Sequence, residues 1–64
     1  MRIIMPDKSV RICPAGPGTV EEVLLALGIN PVEVLVTRDN TLIPESAATR
    51  EDDELRIIRV SHGG

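Results

Sequence analysis

The chain has 64 residues, close to the lower limit at which one hydrophobic core holds a fold without disulfides or metals, and this leaves no room within it for a second domain. Its hydrophobic fraction of 42% includes no aromatic residue, so the core has to be built from Val, Ile, Leu and Met, and the class is globular rather than disordered. A net charge of −3, from ten acids against seven Arg and Lys, argues against a sequence-independent grip on nucleic acid and suits a basic partner surface better.

Residues 1–5 and 9–13 are short β-type runs separated by Pro6-Asp7-Lys8, whose Pro and Asp form turns, so they predict a hairpin. The segment Pro14-Ala-Gly-Pro-Gly18 then breaks the sheet. Thr19-Val20-Glu21-Glu22 has the capping-box form, in which hydroxyl and carboxylate each satisfy a backbone N–H at the start of a helix. Val20, Val23, Leu24 and Leu27 fall on one helical stripe of about two and a half turns. Gly28 stands where a left-handed residue closes the helix, and Pro31 bars its continuation. Glu33 to Arg38 predicts a strand, Asp39-Asn40 a tight turn, and Thr41 to Ile43 the returning strand, closed by Pro44. Residues 45–53 form a polar, acidic loop with room for one helical turn, and Glu54 to Val60 is the last strand.

The order β-β-α-β-β-β with one helix predicts an α+β layer of β-grasp (ubiquitin-like) type, a mixed four- to five-stranded sheet with one crossing helix. In such an arrangement the first and last strands lie side by side and parallel in the middle of the sheet. The expected division is a β-grasp domain over 1–60 and a flexible C-terminal diglycine tail over 61–64.

Alternation along each strand assigns side chains to faces, and the charged residues mark the wet one. Ile4 shares a face with Arg2, Leu35 with Glu33 and Thr37, and Ile58 with Glu54 and Arg56. Ile3, Met5, Val34, Val36, Leu55 and Ile57 are left for the helix side. Arg59 has the parity of the helix side and is expected beyond the helix, at the edge of the sheet. The three solvent-side aliphatics Ile4, Leu35 and Ile58 predict a contiguous partner-docking patch, with Arg56 and His62 beside it.

Little else in the chain carries chemistry. Cys13, the only cysteine, cannot form an internal disulfide; it reads as a small apolar residue at a strand end and fits a reducing cytoplasm. One Cys and one His far apart do not make a metal site. The run Glu51-Asp52-Asp53-Glu54 reads as a solvated loop. No nucleophile stands near a base, and no Ser/His/Asp set, P-loop or paired-carboxylate motif occurs, so a chain that is not an enzyme in its own right is expected. Neither a signal-peptide pattern nor an apolar run of membrane-spanning length is present, which leads to the expectation of a soluble, cytoplasmic protein.

Gly63 and Gly64 follow the last strand closely. Glycine loses the most entropy on ordering and brings no side chain, so a double glycine serves stability poorly and serves threading through a narrow slot well. With Glu54-Leu-Arg-Ile-Ile-Arg-Val-Ser-His-Gly-Gly64 and the element order, the chain resembles the ThiS/MoaD sulfur carriers, small β-grasp relatives of ubiquitin that end in Gly-Gly. Leu27-Gly-Ile-Asn-Pro31 also looks like members serving tRNA thiolation.

The resemblance implies a sulfur carrier whose Gly64 carboxylate, behind Gly63, is adenylated with ATP by an E1-like adenylyltransferase. Sulfur from a donor such as a cysteine desulfurase then makes it a thiocarboxylate for an acceptor synthase, either thiazole synthase in thiamine biosynthesis or a tRNA thiolase. No cofactor would be bound by the chain itself, and the tRNA would be held by a separate enzyme. His62 on such a tail would contact solvent or the enzyme rather than transfer protons. Two alternatives stay open: a small modifier conjugated to proteins through Gly64, and a β-grasp interaction module that does not use its C-terminus.

Overall fold

The computed structural model of the chain describes residues 1–13 and 18–60. Strand β1 (Arg2–Ile4) pairs antiparallel with β2 (Val10–Ile12), Arg2 opposite Ile12 and Ile4 opposite Val10. The turn between them follows from Pro6, which presets its own φ, and from a 2.8 Å bond donated by Lys8 N–H to the Met5 carbonyl. Lys8 then takes φ 72°, the left-handed residue that closes a three-residue hairpin loop.

Helix α1 (Val20–Ala26) starts where its capping box predicts. Thr19 Oγ1 accepts from Glu22 N–H at 3.3 Å, and Glu22 Oε1 accepts from Thr19 N–H at 3.4 Å. The next two helical N–H groups, of Val20 and Glu21, donate to the carbonyls of Ala47 and Glu45 at 2.9 Å, so the loop after β4 covers the helix start. At the other end Gly28 N–H donates to the Leu25 carbonyl at 3.0 Å and Ile29 N–H to the Leu24 carbonyl at 2.9 Å, a Schellman closure with Gly28 at φ 76°. The cap is Leu27, so the helix is slightly shorter than its apolar stripe.

A 3-10 turn, Pro31–Glu33, follows, and sequence reading had no signal for it. Asn30 Oδ1 accepts from Val32 N–H at 3.1 Å while Pro31 occupies a first-turn position that needs no donor. Glu33 therefore ends this turn instead of opening the strand. Strand β3 (Val34–Arg38) returns as β4 (Thr41–Ile43) through Asp39 at φ 51° and Asn40 at φ 62°, the two positive angles of a type I′ hairpin turn. Residues 45–53 hold two turns, closed by Ala47 N–H to the Pro44 carbonyl and Asp53 N–H to the Arg50 carbonyl, and no helix.

Strand β5 (Glu54–Arg59) lies between β1, parallel to it, and β3, antiparallel to it, in a five-stranded sheet of order β2-β1-β5-β3-β4. This is the α+β, β-grasp topology, ubiquitin-like in order and connection. The predicted parity holds: Ile3, Val34, Val36, Leu55 and Ile57 are buried under Val20 and Leu24 of the helix, and among the described residues no polar residue is buried as a whole. Met5, Val23, Leu27 and Ile29 pack around this core. Arg59 is exposed at the end of β5, opposite Val34, so it sits at the end of the central strand and not on an edge strand of the sheet.

Candidate functional site

The helix covers one face of the sheet and leaves the other open. On the open face Leu35 and Ile58 stand directly opposite each other across β3 and β5, with 45% and 43% of their surface exposed. Ile4, half-buried, is the neighbour of Arg56 across β1 and β5, and Thr37 is its neighbour on the other side. The predicted patch residues Ile4, Leu35, Arg56 and Ile58 thus come together on β5 and its two neighbours, β1 and β3. At the rim of this face Arg2 Nη1 lies 3.9 Å from Glu54 Oε2.

The patch is wider than sequence reading expected. Val10 pairs with Ile4 and Leu42 with Thr37, so both join the open face, exposed by 45% and 59%. One row across the sheet therefore reads Val10, Ile4, Arg56, Thr37, Leu42, and the next sets Ile58 beside Leu35. The two outer residues lie on edge strands whose parity is meaningful only once their register to β1 and β3 is known. A contiguous exposed aliphatic surface of this kind has the composition that docking surfaces commonly share, and the exposed Arg56 guanidinium stands within it.

The acidic run is not uniformly solvated. Asp53 is the exception: its carboxylate, only 8% exposed, accepts from Arg38 Nη2 at 2.9 Å and from Arg50 N–H at 2.7 Å. The same Arg38 nitrogen also donates to the Ala48 carbonyl at 2.7 Å. This ties the 45–53 loop to β3 and, through the helix-start bonds, to α1. No sequence signal singles out Asp53 among the four acids of this run, because its partner lies fifteen positions away.

Cys13 is a free, half-buried thiol packed against the core, its N–H and carbonyl bonded to Met1. Among the described residues no three His, Cys, Asp or Glu side chains gather where a metal ion could be held. Among the described residues no helix is long and apolar enough to cross a membrane. Gly63, Gly64 and His62, with the rest of the predicted tail at 61–64, lie outside the described residues, as does most of the Pro14-to-Gly18 break. The last described residue, Val60, donates its N–H to the Glu33 carbonyl at 2.9 Å, which places the end of β5 beside the 3-10 turn.

No protein-family profile matches the chain. An uncharacterized protein of Archaeoglobus fulgidus is 42% identical to it over 43 residues, which are 67% of this chain and 63% of that protein. The alignment thus spans less than two thirds of the relative's own length. The fold and the relative together define a small β-grasp protein with a distant archaeal counterpart.

Proposed function

We propose that the chain is a ubiquitin-like sulfur carrier whose reactive group is the α-carboxylate of Gly64. The observation that supports this most directly is the place of β5: it is a central strand, it carries Arg56 and Ile58 on the open aliphatic face, and Ser61-His62-Gly63-Gly64 continue from it in the sequence. A partner docked on that face would lie next to the strand that leads to the glycines.

The chemistry follows from what a carboxylate lacks. Its charge is delocalised and its leaving group would be oxide, so it must be activated before a nucleophile can attack. An E1-like enzyme supplies ATP, and the Gly64 oxygen displaces pyrophosphate to give an acyl-adenylate. The terminal sulfur of an enzyme persulfide attacks the acyl carbon and expels AMP. A second thiolate then cleaves the resulting acyl disulfide, leaving the thiocarboxylate on Gly64 and an ordinary disulfide on the enzyme side. The carrier contributes the acyl group and the docking surface; its partners contribute catalysis. The sulfur goes to a thiazole synthase or a tRNA thiolase, and the Leu27-to-Pro31 match favours the latter.

Intact mass of the protein from its native cells tests this reading, with a sample lacking Gly64 as control. Replacement of one terminal oxygen by sulfur is the expected result. An unmodified terminus, even after incubation with the E1-like enzyme, ATP and a sulfur source, would favour the interaction module.

A further inference from the structure

Charge is segregated along this molecule in a way that its net value conceals. Eight of the ten acids sit in the first turn of α1, the β3–β4 turn and the segment 45–54. The three arginines at that pole are Arg2, Arg38 and Arg50; two of them are held in ion pairs, Arg2 with Glu54 and Arg38 with Asp53. The other four cations, Lys8, Arg11, Arg56 and Arg59, are all exposed and line the surface around the end of β1 and β5, where the remaining two acids, Asp7 and Glu33, also lie. Among the described residues none of these four has a carboxylate within 4.0 Å.

Two adjoining grooves share Met5, Pro6 and Arg59. One lies on the open-face side and is lined also by Lys8, Arg56 and Ile58; the other is lined by Arg11, Asp7 and Ser9. The first is continuous with the aliphatic patch through Ile4 and Ile58.

We propose that this basic end, Lys8, Arg11, Arg56 and Arg59 around Met5 and Pro6, docks an acidic protein surface, one that presents carboxylates beside an apolar strip. The proposal rests on the carrier reading only in taking that surface to belong to the activating enzyme. The net charge of −3 favours a basic partner, but over a contact of protein size the local field decides, because exposed charges more than about 10 Å apart are largely screened at moderate salt. The acidic pole then faces away from the partner and disfavours docking in the reverse orientation. A protein is favoured over a nucleic acid by the aliphatic strip, by the lack of any aromatic residue for base stacking, and by the small number of cations.

The test is an NMR titration of the isotopically labelled full chain with a peptide of alternating Glu and Leu, and separately with an oligonucleotide of equal charge. Shifts concentrated at Lys8, Arg11, Arg56, Ile58 and Arg59, lost at high salt, are expected for the peptide. Charge reversal in an Arg11→Glu/Arg59→Glu variant should weaken binding by about tenfold, with Arg50→Glu close to wild type. Shifts spread over the surface, no shifts, or tighter binding of the oligonucleotide would overturn the proposal. With an E1-like enzyme that activates Gly64, the double variant should raise KM by about tenfold and leave kcat unchanged; an unchanged KM would detach the basic end from that enzyme. If no enzyme activates Gly64 the carrier reading fails, and the peptide titration still decides whether the basic end is an acidic-surface site.

Discussion

At the scale of single residues, two side chains near the hairpin tip show how local chemistry sets a turn. Asp7 Oδ1 accepts from both the N–H and the hydroxyl of Ser9, at 2.9 and 2.6 Å. The Ser9 hydroxyl, then the Ser9 N–H, with a smaller contribution from nearby Arg11, hold the Asp7 carboxyl below its ordinary value. Folding therefore favours the charged form. The stabilisation is complete above the ordinary carboxylate range and disappears as pH falls through the lowered value. Ser9→Ala should move the Asp7 titration, followed by its side-chain carbon shift, upward toward an unperturbed carboxyl.

Lys8 beside it occupies a left-handed conformation that suits glycine, so Lys8→Gly should raise stability by about 0.5–1 kcal/mol in urea unfolding followed by far-ultraviolet dichroism. Asp53 is the costlier residue to change. Asp53→Ala would strip Arg38 of its carboxylate partner and the Arg50 N–H of its acceptor, and should destabilise by about 2 kcal/mol in the same measurement.

At the scale of elements, the helix was the most legible part of the chain because its signals are local. Thr19 and Glu22 are three positions apart, and each needs only the other's backbone to form the cap. Gly28 likewise answers to the carbonyls of the helix it ends. A methyl group at Gly28 would meet nothing within 4 Å, so Gly28→Ala isolates the backbone cost of φ 76° and should lower stability by about 1 kcal/mol. The 3-10 turn escaped detection because Asn30-Pro31 signals a stop to the helix without saying what comes next. Composition marks the loop 45–53 as polar and acidic. Its role as the cover of the helix start depends on carbonyls of Glu45 and Ala47, and backbone groups leave no trace in side-chain patterning.

For the molecule as a whole, the open face and the basic end adjoin where Ile4, Arg56 and Ile58 meet Lys8 and Arg59. Ile58→Asp and Leu35→Asp should each leave the fold cooperative, because both side chains are close to half exposed. If the face docks the activating enzyme, either variant should cut thiocarboxylate formation by at least about tenfold, read as the mass of the modified terminus. Wild-type levels of modification in both would remove the face from the docking surface.

The order of helix and strands, the faces of β1, β3 and β5, and the helix-side set of Ile3, Met5, Val34, Val36, Leu55 and Ile57, of which all but the partly buried Met5 are buried, were determined by the sequence alone. Periodicity, caps and turn residues act over a few positions, and alternation within one strand needs no partner. Tertiary structure alone decided that Val10 and Leu42 widen the patch, that Asp53 leaves its acidic neighbours to meet Arg38, and that four cations gather at one pole of an acidic protein. Each of these depends on strand register or on loops closing over long separations. A linear pattern does not encode them, because the energy that selects them comes from residues brought together only when the sheet assembles.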